Sequence, residues 1–322
     1  MKKIAVMTSG GDAPGMNAAL RAVVRQSIFS KINVVAVHNG FEGLIDGNFQ
    51  PMEASSVSNI IQKGGTILKT SRSERFLLDE FRQVAYDKLK QAEVEAVVAI
   101  GGNGSIKGAQ VFTDQFDIPF IAVPKTIDND VSATDWAIGF DTACNTAMEA
   151  IDKIRDTADA HHRLFFVEVM GRNLGYIALH AGICGGAEAI LIPEMKEGVD
   201  ELIEQLKNGW KRQKSSLIVI VAEGCVKNGL HQLVSKVQEH FSHYEIKTSV
   251  LGHIQRGGSP SAFDRVLATR LGSAAITGLL TGVKNSVVGL IGNDIKFTPL
   301  SESASVHKLD KELYRIALQV SC

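Results

Sequence analysis

Cysteine is scarce and scattered. Cys144, Cys184, Cys225 and Cys322 form no CxxC pair and no zinc-type spacing. A disulfide framework or a cysteine-built metal site is therefore not expected, and the thiols read as those of a reduced, intracellular protein. An excess of one charge is equally missing: 34 Lys and Arg stand against 35 Asp and Glu, a net charge of −1. That balance argues against a surface devoted to nucleic acid or anionic lipid and confines any anion site to a local patch. No apolar run approaches the ~18–20 residues of a membrane span. The first apolar stretch ends at Thr8-Ser9-Gly10-Gly11, short of the ~7–15 residues of a signal-peptide core. A cytoplasmic protein with no membrane or nucleic-acid partner is expected. At 322 residues, 45% hydrophobic and 21% charged, the chain has ordinary globular composition and room for roughly two domains. Glycine is what it has in plenty, 30 residues, and they cluster.

Short β-branched runs alternate with longer amphipathic stretches from end to end. Lys3–Thr8, Val34–His38, Ala96–Ile100, Pro119–Val123, Leu164–Val169, Ala189–Ile192, Leu217–Val221, Lys247–Leu251 and Val287–Ile291 read as strands. Most lack polar alternation, as parallel strands covered on both faces do. Helical periodicity runs through Asn17–Phe29, Asp141–Ala158, Val199–Arg212, Leu230–Phe241 and Phe263–Leu280. In the first of these, Leu20, Val23, Val24, Ser27 and Ile28 trace one expected buried stripe. Such alternation predicts an α/β fold with mainly parallel sheets. The boundary is placed near Phe140.

Five segments carry candidate chemistry, each following a strand. Thr8–Gly15 reads either as a tight turn with Asp12 near a helix cap or as an anion cradle of backbone N–H groups at a helix N-terminus. Gly101-Gly102-Asn103-Gly104-Ser105 follows the same logic, with Ser105 near a cap, and favours the phosphate cradle. Lys125-Thr126-Ile127-Asp128-Asn129-Asp130 sets two carboxylates beside a hydroxyl and a cation, and reads either as a solvated acidic loop or as a site suited to a proton and a metal–phosphate. If this loop is extended, Asp128 and Asp130 point the same way. Met170-Gly171-Arg172 and Gly252–Gly258 place Arg172, His253 and Arg256 among glycines, where a guanidinium can clamp phosphate oxygens. Arg21 and Arg25, four apart on one helix face, either point to solvent or share a bound anion. His161, His162 and Cys144 have no partners at metal-ligand spacing and read as structural or solvent-facing.

Taken together, TSGGDAPGMNA at 8–18, GGNGS at 101–105, PKTIDND at 124–130, EVMGR at 168–172 and LGHIQRGGSP at 251–260 resemble the phosphofructokinase family over nearly the full length. PKTIDND and GHIQRGGSP in one chain are the specific part. The resemblance implies two similar three-layer α/β/α lobes, over 1–139 with 254–304 and over 140–253 with 305–322, an active site in the cleft between them, and transfer of the terminal phosphoryl of ATP, with Mg²⁺, to the 1-hydroxyl of fructose 6-phosphate. It makes Asp128 the general base, with Thr126 and Asp130 positioning the phosphoryl group and metal and Arg172 stabilising charge in flight. Gly11, Arg72, Ser73, Gly102, Asn103, Gly104, Ser105 and Gly108 would hold the nucleotide, and Asn103 and Asp130 the metal. Thr126, Ile127, Met170, Gly171, Glu223, His253, Ile254, Gln255 and Arg256 would contact the sugar phosphate. Arg163 and Lys247 would reach it from a neighbouring subunit of a homotetramer. Arg21, Arg25, Arg155, Glu188, Arg212 and Lys214 would form an effector pocket.

Three departures from the family pattern stand out. Asn103 occupies a position that usually holds Asp and brings no charge to the metal-bound donor. Lys125 replaces a Gly common in ATP-dependent bacterial members; pyrophosphate-dependent members pair such a Lys with Asp at the position of Gly104, and here the two markers disagree. Ser55 and Ala54 stand where the effector pocket usually has Tyr and Arg, and Lys247 where an Arg contacts the sugar phosphate. ATP is the expected donor. A pyrophosphate-dependent enzyme and a non-catalytic sugar-phosphate sensor are the alternatives.

Overall fold

The computed structural model describes residues 1–195, 199–211, 216–225, 229–241, 245–303 and 309–321. Its strands are β1 (Lys3–Thr8), β2 (Asn33–Val37), β3 (Phe49–Met52), β4 (Ala96–Gly101), β5 (Phe120–Pro124), β6 (Leu164–Val169), β7 (Ala189–Leu191), β8 (Leu217–Ala222), β9 (Ile246–Val250), β10 (Ser286–Ile291) and β11 (Asp294–Pro299). Its α-helices are α1 (Met16–Phe29), α2 (Gly40–Asp46), α3 (Asp79–Gln91), α4 (Asn103–Gln115), α5 (Phe140–His161), α6 (Tyr176–Cys184), α7 (Val199–Lys211), α8 (Leu230–His240), α9 (Ala262–Leu280) and α10 (Lys311–Val320). No helix among the described residues is long and apolar enough to cross a membrane.

The chain divides into two compact units, Met1–Thr142 with Arg256–His307, and Ala143–Gln255 with Lys308–Cys322. The first is built on a seven-stranded sheet in the order β11-β10-β5-β4-β1-β2-β3. Only its edges, β3 on β2 and β11 on β10, run antiparallel. Along β1 the side chains alternate between two cores. Ile4 and Val6 join Leu20, Val23 and Val24 of α1 and Leu267, Leu271 and Ile276 of α9. Ala5 and Met7 join Leu44 of α2, Leu89 of α3 and Phe112 of α4. Helices thus cover both faces, which explains why these strands read as unbroken apolar runs.

The second unit has a parallel four-stranded sheet, β7-β8-β6-β9. Leu164, Phe166, Val219 and Val221 pack with Leu202 and Leu206 of α7 and Leu233 and Val237 of α8. Fully buried Ile218 and Ile220 occupy the opposite face of β8, against which α6 lies.

Each of the nine β-branched runs overlaps a strand, with His38, Pro119, Ile192 and Leu251 falling just outside. The edge strands β3 and β11 were not anticipated. Pro51 interrupts β3, as only an edge tolerates, and β11 alternates exposed and half-buried residues. Two local expectations change. Ile28 is 38% exposed, because at ~100° per residue it falls about 90° from the centre of the stripe formed by Leu20, Val23, Val24 and Ser27. Asp12 caps nothing. Helix α1 starts later, after Gly15, whose φ of 100° gives a left-handed entry, and Asp12 stays on the exposed turn.

Candidate active site

In the first unit three loops follow parallel strands of one sheet, the end at which open α/β sheets bind ligands. The turn after β1 is fixed from two sides. The Ser9 N–H donates to the Ile100 carbonyl at 3.0 Å, and the Thr70 hydroxyl donates to the Gly10 carbonyl. The Arg256 side chain lies against Gly11, where a Cβ would stand 2.5 Å from Nη1 and displace the guanidinium. Arg256, expected on the sugar phosphate, is therefore brought over the first glycine turn, as its position in sequence did not foretell.

The second turn opens α4. Gly102 is its N-cap, so Ser105 lies inside the first turn of the helix and not at the cap. Its hydroxyl is buried with no hydrogen-bond partner among the described residues. A Cβ on Gly102 would press on the Lys125 carbonyl at 3.3 Å, and one on Gly108 would strike the Phe41 ring at 2.9 Å. A Cβ on Gly104 would meet nothing within 4 Å. The first two are tight contacts within the protein; the last is open space. Arg72 is exposed, and the neighbouring Ser73 hydroxyl accepts the Phe76 N–H at 3.1 Å.

The third loop leaves β5. The Lys125 N–H donates to the Gly101 carbonyl at 3.0 Å, and the Thr126 N–H to the Ile138 carbonyl at 3.1 Å. Beyond Thr126 the chain is not extended. Ile127 and Asp128 form a turn, the Asp128 N–H donates to Thr126 Oγ1 at 3.1 Å, and Asn129 adopts φ 50°. The strand-like alternation considered for Asp128 and Asp130 thus does not apply. Asn129 clamps the turn, its amide nitrogen donating to the Asp135 carbonyl at 3.0 Å and its oxygen accepting the Ala137 N–H at 2.7 Å. Asn103 Nδ2 donates to the Asp130 carbonyl at 3.1 Å and ties this loop to the second turn. Asp128 is 7% exposed, and Asp130 Oδ1 is buried with no partner among the described residues.

Lys125 is 3% exposed, and its ammonium donates to the Gly11 carbonyl. Burial, reinforced by the Arg256 cation, lowers its pKa to about 8, while Asp12, Asp128 and Asp130 pull the other way. A cation, two orphaned polar atoms and two glycine turns thus converge on one polar locality, the environment a bound polyanion would complete.

In the second unit, β6 leads into Met170-Gly171-Arg172. Arg172 has φ 59°, and its N–H donates to Glu223 Oε1 at 2.8 Å; its side chain is exposed. Burial raises the pKa of Glu168, and the Glu223 charge adds to the shift. Gln255 is fully buried and internally committed. Its Oε1 accepts the Met170 N–H at 3.3 Å and its Nε2 donates to the Gly252 carbonyl at 3.0 Å. It positions the strand end, while His253 and Ile254 beside it are exposed.

Arg163 and Lys247 lie together, joined by a residue that motif reading missed. Arg163 Nε donates to Glu245 Oε2 at 2.5 Å, and Lys247 Nζ pairs with Glu245 Oε1 at 2.5 Å. Leu164 pairs with Ile246 across β6 and β9, so Arg163 and Glu245 face each other one step earlier. The i, i+2 spacing of Glu245 and Lys247 was the available signal. Lys247 first, then Arg163, holds the Glu245 carboxyl below its usual range. Of the expected effector residues, Arg155 Nη2 donates to the Gly186 carbonyl at 2.8 Å, and buried Glu188 accepts the Ile218 N–H at 2.6 Å. Arg21 is half-buried and Arg25 exposed. Arg212 and Lys214 lie outside the described residues.

A sequence model described as phosphofructokinase matches residues 3–279. The chain belongs to the phosphofructokinase family. Its curated relatives include ATP-dependent 6-phosphofructokinase 2 of Bacteroides thetaiotaomicron, 48% identical over 99% of this chain and 97% of that protein. Another is ATP-dependent 6-phosphofructokinase 1 of Thermus thermophilus, 49% identical over 98% of each. Among solved structures, Pichia pastoris phosphofructokinase in the T-state superposes with a TM-score of 0.89 at 33% identity. It is matched over 99% of this chain, which spans only 36% of that longer one. A pyrophosphate-dependent phosphofructokinase from Marinobacter aquaeolei shares the fold, with a TM-score of 0.85 at 22% identity over 100% of this chain and 91% of that one. This family member therefore combines a family-wide fold with full-length similarity to relatives named for ATP.

Proposed function

We propose that the chain is an ATP-dependent 6-phosphofructokinase of glycolysis, acting in the cytoplasm. It transfers the terminal phosphoryl group of ATP to the 1-hydroxyl of fructose 6-phosphate, giving fructose 1,6-bisphosphate and ADP. The observation that supports it most is the nearly buried Asp128 carboxylate on a loop hydrogen-bonded to the second glycine turn, with Lys125 reaching the first. In this reading the first unit holds the donor, and the second supplies most of the sugar-phosphate residues, Arg256 of the first excepted.

The N–H groups opening α4 at Asn103 and Gly104, the Ser105 hydroxyl and the Lys125 ammonium face the polyphosphate, where a helix N-terminus favours negative charge. Asp128 takes the proton of the attacking hydroxyl, and Thr126, hydrogen-bonded to the Asp128 N–H, keeps the turn in register. The Arg172 guanidinium neutralises charge on the transferring group, the dominant contribution in phosphoryl transfer. Glu223, already fixing the Arg172 backbone, and Met170 line the sugar side. His253, Arg256, Arg163 and Lys247 bind the 6-phosphate, the last two across a subunit boundary of a homotetramer.

Mg²⁺ fits the donor set. It prefers a few carboxylate oxygens plus substrate phosphates, and the orphaned Asp130 Oδ1 is such an oxygen. No group of three or more His, Cys, Asp or Glu suited to a metal occurs among the described residues. Asp130 and Asn103 would hold it, and when bound it offsets the charge of the polyphosphate.

Initial rates of fructose 1,6-bisphosphate formation with ATP and with pyrophosphate test the reading. ATP should exceed pyrophosphate by at least about 100-fold in kcat/KM, a gap of roughly 2.7 kcal/mol. Binding of fructose 6-phosphate without turnover on either donor would replace the enzyme with a sensor. The open space at Gly104 sets a second test. In Gly104→Asp the new Cβ enters space with no protein atom within 4 Å, so the fold should persist while kcat/KM for ATP falls about 10–100-fold, roughly 1.4–2.7 kcal/mol. Pyrophosphate should be affected less. Equal losses on both donors would show that the space does not select the nucleotide.

A further inference from the structure

Asp264 belongs to none of the motifs above, yet it is fully buried. Oδ1 accepts the Gly139 N–H at 2.8 Å, and Oδ2 accepts the Thr142 N–H at 2.9 Å and the Thr142 hydroxyl at 2.5 Å. These donors sit at the start of α5, so a side chain from the first turn of α9 caps a different helix. The arrangement is reciprocal. Ser261, the N-cap of α9, accepts the Asp264 N–H at 3.2 Å and donates its hydroxyl to Asp141 Oδ2 at 2.5 Å. The Ser261 N–H in turn donates to Thr142 Oγ1 at 3.0 Å. Two helix starts are thereby locked through one carboxylate.

What hangs on the lock is the loop bearing the base. Gly139, held by Asp264, follows Ile138, whose N–H donates to the Pro124 carbonyl at 3.2 Å and whose carbonyl accepts the Thr126 N–H at 3.1 Å. Ala137 is bound to Asn129. The first glycine turn leans on the same point. A Cβ on Gly15 would lie 2.6 Å from Ile138 Cγ2 and 3.7 Å from Asp264 Cβ, and one on Gly139 would lie 2.7 Å from Ala13 Cβ. The segment from Arg256 ends at the Ser261 cap. Close packing leaves no slack through which these parts could shift independently.

We infer that Asp264 is a positioning residue for phosphoryl transfer: through Gly139 and Thr142 it sets the register of the Lys125–Asp130 loop against the first glycine turn and the Arg256 segment. The inference rests on the reading of Asp128 as base, and misplacement of a reacting group by about 1 Å is enough to cost about 100-fold in rate. Asp264→Asn keeps the shape but turns one acceptor into a donor facing Thr142 or Gly139. Leu271→Ala, in the core side of the same α9 helix, serves as the control that destabilises without touching the lock. Asp264→Asn should lower kcat about 10–100-fold and speed hydrogen exchange of the backbone amides of 124–130. Leu271→Ala, at comparable loss of Tm, should leave kcat within about twofold and that exchange unchanged. A kcat for Asp264→Asn within about twofold of the parent, unchanged exchange at 124–130, or an equal kcat loss in the control would each overturn the inference. Should Asp264→Asn not fold, Thr142→Val removes one donor; it should cut kcat about threefold or more and raise the same exchange, and no change in either overturns the inference. Should the parent itself show no kinase turnover, the proposed function fails, while exchange at 124–130 still decides whether Asp264 holds the loop.

Discussion

Asp128→Asn is expected to lower kcat by about 10²–10⁴-fold, the range lost with a general base, while the KM for fructose 6-phosphate changes little. The substitution is nearly isosteric. The Asp128 N–H bond to Thr126 Oγ1 and the clamp formed by Asn129 do not involve the carboxylate, so the turn should keep its shape. What disappears is the ability to accept a proton, which an amide lacks at any working pH. A fall of 10³ corresponds to about 4 kcal/mol of transition-state stabilisation, too large for a lost hydrogen bond to bound substrate alone. Steady-state kinetics at saturating donor, with far-UV circular dichroism on the same preparation, provide the measurement. A fall of less than about tenfold would remove Asp128 from the role of base.

Lys125→Met is expected to raise the KM for ATP about tenfold or more and to change the pH dependence. Losing a charge-assisted contact to a phosphate costs ~1.5–3 kcal/mol. In the free protein the ammonium loses its proton as pH rises through about 8, so kcat/KM for ATP, which reports the free enzyme, should decline on the alkaline side. A bound polyphosphate favours the protonated form, so kcat itself should hold to higher pH. Stability must move the other way. The folded pKa lies below the ordinary 10.5, so between about 8 and 10.5 the unfolded chain binds the extra proton and the contribution of this group to folding stability rises with pH. Parent protein should therefore lose donor affinity while this group's destabilising effect is relieved, and Lys125→Met should show neither trend. An unchanged alkaline limb in the variant would assign the limb to another group.

Much of the architecture was legible because it is written in local patterns. Unbroken apolar runs such as Ala96–Ile100, short and ending at glycine, fit strands covered on both faces, and the glycine clusters directly after them mark tight turns. The edges escaped notice because an edge strand is released from that patterning: β3 carries Pro51, and β11 alternates like a surface element. The segments carrying the candidate chemistry were likewise readable as strings of residue types, among them the carboxylates of 128 and 130 and the cations of 163, 172, 247 and 256. Their partners were not. Lys125 reaches Gly11 across 114 positions, Asp264 caps Gly139 across 125, and Glu245 joins Arg163 across 82.

Residue order thus settled which backbone conformations and which functional groups this protein possesses, since both follow from interactions within a few positions. Folding alone decided which of those groups meet. The ammonium of Lys125 loses basicity only because other strands bury it beside Arg256, and Ser105 and Asp130 carry unmet hydrogen-bonding capacity only because packing has shut water out. Proximity between distant segments is a property of the packed core, and no periodicity in the chain encodes it.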